Sequence, residues 1–137
     1  MTVKLRRFHL HVAAACLAAI CASAAAAGPV VITNPAVTLS GDDVRDVYLG
    51  EKQVAGSVKL VPVDNASAQA AFLADVIKLD ATKYATAWTK KSFRDGLTAP
   101  AVKATDAEVI DFVKRTPGGV GYVGSAPPGG VNVVTLK

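Results

Sequence analysis

The stretch Thr105-Asp106-Ala107-Glu108-Val109-Ile110-Asp111-Phe112-Val113-Lys114-Arg115-Thr116-Pro117-Gly118-Gly119-Val120-Gly121-Tyr122-Val123 decides the fold class. Thr105 followed three residues later by Glu108 has the form of a capping box, in which side chains satisfy N–H groups that the first helical turn leaves unpaired. Val109, Ile110, Phe112 and Val113 then supply the apolar side of a helix. Thr116-Pro117-Gly118-Gly119 ends it, because proline cannot continue a helix and glycine accepts the left-handed conformation of a helix end. The apolar run after it, 120–123, reads as a strand. Capped helix, stop and strand in succession form one unit of an α/β domain.

The rest of the chain repeats this alternation. Residues 29–33 (PVVIT) read as a buried strand, and Asn34-Pro35 as a turn. Ser40 heads a two-turn helix with acids in its first turn, apolar residues at 44, 47 and 48, and Gly50 as the stop. Residues 51–57 read as a polar connection, and 58–63 (VKLVPV) as a strand whose Pro62 belongs at an edge or bulge. Asp64-Asn65 is placed to cap a helix over about 66–78, with Ala70, Ala71, Leu73, Ala74 and Ile77 as its stripe. Asp80 opens another helix through Tyr84, Ala87, Trp88 and Lys91, and Asp95-Gly96 is a turn. A final strand is expected over 131–136. Strands alternating with helices imply a mixed sheet flanked by about four helices.

The first 27 of the 137 residues differ in kind. Lys4, Arg6 and Arg7 precede an uninterrupted small-apolar run, Val12 to Ala27, which ends Ala25-Ala26-Ala27 before Gly28-Pro29. A basic segment, an apolar segment and a small-residue cleavage site predict a secretory signal peptide, cleaved after Ala27, ahead of one domain over 28–137. The 16-residue run, mostly alanine, falls short of the ~20 strongly apolar residues a membrane span requires. A periplasmic or secreted protein with no membrane insertion after cleavage is therefore expected.

Removing that segment leaves 110 residues and takes with it Cys16, Cys21, His9 and His11, all the cysteines and histidines of the chain. The net charge falls from +4 to +1 as Lys4, Arg6 and Arg7 go, so no nucleic-acid footprint remains. Without histidine or cysteine there is no serine triad, thiol nucleophile, histidine-ligated zinc, haem attachment or iron–sulfur cluster. No enzyme, metal or cofactor is read from this domain.

Three segments resemble the phosphate-type periplasmic substrate-binding proteins of ABC transporters. They are Leu39-Ser40 with Val44-Arg45-Asp46-Val47-Tyr48-Leu49-Gly50, then Tyr84, Trp88 and Phe93-Arg94-Asp95-Gly96, then Asp106 to Val113 with Thr116 to Val123. The resemblance implies a single lobe of a type II periplasmic-binding-protein-like fold, phosphate or a similar oxyanion as ligand, and an ABC transporter, sensor or other envelope protein as partner. Full-length members hold the anion between two lobes, so one lobe implies weak or partner-dependent binding. The alternative is a non-catalytic periplasmic interaction module that kept the fold and lost the ligand site.

Asp64, Asn65 and Ser67 form the candidate oxyanion site, where a strand feeds a helix. Unpaired N–H groups and the helix dipole favour an anion there, and Ser67 adds a hydroxyl donor. The family's arginine-bearing, glycine-rich loop resembles this place only through Asp64 and Ser67, and the arginine is absent. The competing reading makes Asp64 or Asn65 a helix cap. Trp88 with Tyr84 and Phe93 is read as an aromatic core under a helix, with a ligand platform as the lesser reading. Gly118-Gly119-Val120-Gly121 follows a helix and precedes a strand, the reverse of a phosphate loop, and reads as a stop and turn. Asp42, Asp43 and Asp46 read as surface charge at a helix start, and Lys83, Lys90, Lys91 and Arg94 as a solvated basic face. Asn34 is noted as a minor cleft residue.

Overall fold

The computed structural model describes residues 28–127 and 129–137; the expected signal segment lies outside them. Its elements are β1 (Val30–Thr33), α1 (Gly41–Tyr48), β2 (Val54–Ala55), β3 (Val58–Lys59), β4 (Val61–Asn65), α2 (Gln69–Phe72) running into a π-helical turn (Leu73–Ile77), α3 (Ala81–Asp95), β5 (Ala101–Lys103), α4 (Asp106–Arg115), β6 (Gly119–Val123) and β7 (Asn132–Val134). The principal sheet has the order β5-β4-β6-β1-β7. β4 runs parallel to β5 and β6, while β1 is antiparallel to both β6 and β7. The expected mixed sheet with helices on its faces is present.

Local caps set the helix limits. The Ser40 hydroxyl accepts the Asp43 N–H at 3.3 Å, and the Asp43 carboxylate accepts the Ser40 N–H at 2.9 Å. Asp80 accepts the Lys83 N–H at 2.8 Å, and α3 stops at Gly96 with φ +66°. Thr105 accepts the Glu108 N–H at 3.3 Å, while the Glu108 carboxylate reaches one residue further back, to the Ala104 N–H at 2.9 Å.

Strand alternation divides the core. Val31, Val120 and Tyr122 face Val44, Val47, Tyr48, Phe72, Leu73, Ile77, Tyr84 and Trp88. Ile32, Val63 and Val123 face Val109 and Val113 of α4 on the other side. Gly121 makes that second layer possible: a Cβ there would lie 2.4 Å from Val109 Cγ1, so only hydrogen fits beneath α4.

Four expectations are corrected. The polar connection over 51–57 contains β2, which pairs antiparallel with β3 as a separate two-stranded ribbon. The single strand over 58–63 is two strands divided at buried Leu60. Pro62 lies in a central strand, not at a sheet edge. Val61 N–H donates to the Gly118 carbonyl at 2.8 Å on the β6 side, so the position of the missing N–H turns toward β5, whose pairing begins only at Val63–Ala101. The helix expected from 66 begins at Gln69, because Asn65 still belongs to β4 and the chain turns through 66–68. β5 had no counterpart in the sequence reading.

Candidate functional site

In open α/β sheets, ligands meet the carboxyl ends of parallel strands. Here those ends are Asn65 of β4, Lys103 of β5 and Val123 of β6, with the start of α4 beside them. The candidate residues lie at this end, but they point in different directions.

Asp64 faces the core. It is 2% exposed, and its carboxylate accepts hydrogen bonds from the Tyr84 hydroxyl at 2.9 Å and the Tyr122 hydroxyl at 2.8 Å. A third aromatic hydroxyl, that of Tyr48, donates instead to the Val63 carbonyl at 2.8 Å. Tyr48 meets Phe72 edge-on at 4.8 Å, and Phe72 stacks on Tyr122 at 3.8 Å. Burial pushes the Asp64 carboxyl above the ordinary carboxylate range, and donation by Tyr122, Tyr84 and Gln69 opposes the rise without cancelling it. Asp64 is neither a helix cap nor an open anion contact; it is a partnered core carboxylate.

Asn65 is fully buried and turns toward α4. Its Nδ2 donates to Asp106 Oδ1 at 2.7 Å and to the Tyr122 carbonyl at 3.0 Å. Its Oδ1 accepts the Ser67 N–H at 3.0 Å and the Ser67 hydroxyl at 2.6 Å. This is a side-chain-closed turn, which caps the 66–68 segment and leaves α2 itself without a side-chain cap. Ser67 is exposed, and its single hydroxyl proton has a second acceptor in Asp106 Oδ1 at 3.3 Å.

Asp106 is the residue the sequence reading missed. Its carboxylate also accepts the Gly124 N–H at 3.2 Å and the Ser125 hydroxyl at 3.1 Å. Donors from the ends of β4 and β6 thus converge on one carboxylate at the first position of α4. Partial burial raises the Asp106 carboxyl, but donation by Asn65, Gly124, Ser125 and Ser67 outweighs it and leaves the group below the ordinary range. An acid in the first turn reads from sequence as a dipole partner, and nothing local to Asp106 announces donors 41 residues upstream and 18 downstream.

The other singled-out residues resolve as structure. Tyr84 and Trp88 are each 6% exposed, and the Trp88 indole donates to the Tyr48 carbonyl at 3.0 Å. Phe93 departs from the expected aromatic core, being 90% exposed on α3. Asn34 donates to the Val113 and Lys114 carbonyls at 2.9 and 3.2 Å, closing the end of α4 rather than lining a cleft. Gly118, with φ +82°, makes the turn into β6, and a Cβ there would sit 2.0 Å from the Lys59 carbonyl. Asp43 pairs with Lys52 at 3.1 Å, Asp42 with Lys137 at 3.6 Å and Lys91 with Glu51 at 2.5 Å.

Two solved structures overlap much of this fold. An ABC-type phosphate transport receptor from Vibrio cholerae matches with a TM-score of 0.49 and 16% identity, covering 80% of this chain and 46% of the receptor. PstS from Borrelia burgdorferi matches with a TM-score of 0.47 and 14% identity, covering 80% of this chain and 47% of its own. The chain spans just under half the length of either receptor. No protein-family profile and no curated protein matches it.

Proposed function

We propose that this protein is an exported, non-catalytic solute-binding-type domain, spanning 28–137 behind a signal peptide, that engages phosphate or a similar oxyanion weakly or only with a partner. The observation that carries the reading is the convergence of Asn65 Nδ2, the Gly124 N–H and the Ser125 hydroxyl, with Ser67 nearby, at the carboxyl ends of β4 and β6. Such donors suit an oxyanion, and in the resting domain they are engaged by Asp106. An external anion has to displace that carboxylate, or share the donors against its charge, and affinity falls accordingly. Asp64, the most buried carboxylate described, is closed off from solvent by two tyrosines and so offers no accessible general acid or base.

The second reading, an envelope interaction module without a ligand, is favoured by the same closure. Every buried side-chain nitrogen and oxygen among the described residues has a partner, so none is left waiting for a ligand. Thermal unfolding in phosphate, sulfate and chloride at equal ionic strength separates the two. A rise in melting temperature at millimolar phosphate or sulfate supports binding. No rise, together with specific pull-down of an ABC transporter, sensor or other envelope protein, supports the interaction module.

A further inference from the structure

A concavity opens toward the other end of the sheet. It is a groove of about 490 Å³ around the amino-terminal parts of β4 and β5, reaching Val63 but lined by none of Asn65, Ser67 and Asp106. Its wall is mostly apolar, with Leu60, Pro62, Trp88, Leu97, Pro100 and Phe112 interrupted by Gln53 and Thr98, and its volume falls in the ~300–1,000 Å³ range of small-molecule sites. Among the described residues, the charged ones on the wall are Lys52 and Lys59, and none is an acid. Lys52 is tied to Asp43 at 3.1 Å, while Lys59 enters no ion pair among the described residues. Leu60, Trp88 and Pro100 are buried, so the floor is fixed by the core rather than by loose surface side chains.

We propose that this groove binds a medium-chain monocarboxylate, its hydrocarbon chain against Leu60, Trp88 and Leu97 and its carboxylate toward Lys59 and Lys52. With Lys52 already held by Asp43, Lys59 is the uncompensated charge at this wall among the described residues, and an apolar wall beside one such cation favours an amphipathic anion over a cation. A small inorganic anion gains nothing from the hydrocarbon wall, whereas an alkyl chain gains from each methylene taken out of water. The site is independent of the oxyanion donors, and its fate does not decide theirs.

Trp88 is the only tryptophan of the chain and forms part of the wall, so its emission reports occupancy directly. Octanoate, titrated into the purified protein at constant ionic strength, is expected to change Trp88 emission saturably. Half-saturation is expected near ~1 mM, the affinity that about ten non-hydrogen atoms reach. Octanol should bind about two- to fivefold more weakly, and inorganic phosphate should leave the emission unchanged. The double variant Lys52→Gln/Lys59→Gln should weaken octanoate about two- to fivefold, the worth of an exposed charge pair, while circular dichroism stays that of the wild type; if the double variant does not fold, Lys59→Gln alone carries the test. A flat titration overturns the site, and octanol equal to octanoate, or an unweakened lysine variant, overturns the assignment of an anion.

Discussion

Replacing Asp106 by alanine tests whether its carboxylate organises the end of the sheet. Three well-placed donors lose an ionised acceptor: Asn65 Nδ2 at 2.7 Å, the Gly124 N–H at 3.2 Å and the Ser125 hydroxyl at 3.1 Å. A hydrogen bond to a charged group nets ~1.5–3 kcal/mol, but exposed donors recover most of that from water. Gly124 and Ser125 are exposed, whereas Asn65 is buried and keeps only the Tyr122 carbonyl as partner for its Nδ2. The expected loss is therefore about 2–3 kcal/mol, including a few tenths from the vacated helix start. For a domain near 100 residues this lowers the melting temperature on the order of 10 °C. The freed groups should then donate to an external oxyanion. At ten times its dissociation constant, phosphate returns RT ln 11, about 1.4 kcal/mol, or roughly half the loss. The assay is thermal unfolding of wild type and Asp106→Ala in phosphate, sulfate and chloride at matched ionic strength. A variant that melts within ~2 °C of wild type refutes the organising role. A large loss with no anion recovery refutes the match between these donors and an oxyanion.

Other perturbations follow from the core. Tyr84→Phe and Tyr122→Phe each remove a hydroxyl from buried Asp64 and should cost ~1–3 kcal/mol by urea unfolding; two losses below ~0.5 kcal/mol would show that Asp64 does not depend on them. Because Asp64 holds its proton more tightly in the folded than in the unfolded chain, its contribution to stability is present at acid pH and lost as pH rises through its raised pKa. Wild type should therefore gain on Asp64→Asn as pH falls from 7 toward ~4, and a difference that is flat or of opposite slope refutes the burial argument. Gly121→Ala drives a methyl into Val109 Cγ1 and should destabilise by ~1–3 kcal/mol, with Gly124→Ala, where a Cβ has ordinary contacts, as the neutral control in the same denaturant series.

What the sequence revealed was whatever is decided within a few residues. Ser40 with Asp43, Asp80 before Ala81 and Thr105 with Glu108 are local caps, and each marks a true helix start. β1 and β6 were legible from their apolar runs. β5, with the sequence Ala-Val-Lys, and the two-residue strands of the β2–β3 ribbon were not, because such short strands exist only by virtue of their partners. The same limit applied at the site. Asp64 and Asn65 were visible as polar residues at a strand-to-helix junction, but their directions depend on Tyr84, Asp106 and Tyr122, 20 to 58 residues away. A rule for caps reads short polar side chains correctly only when no distant hydroxyl claims them first.

The order of strands also governs when the chain can fold. Among the described residues β1 is the first strand to be made, yet its neighbours in the sheet are β6 and β7, the last two. Val31 and Ile32 therefore wait for residues 119–134 before their backbone groups find a ladder, and the sheet closes by contacts spanning nearly the whole domain. Such long-range closure slows folding relative to locally wired topologies. A chain truncated before Gly119 leaves β1 with neither of its ladder partners, so the whole sheet stands or falls on its last two strands.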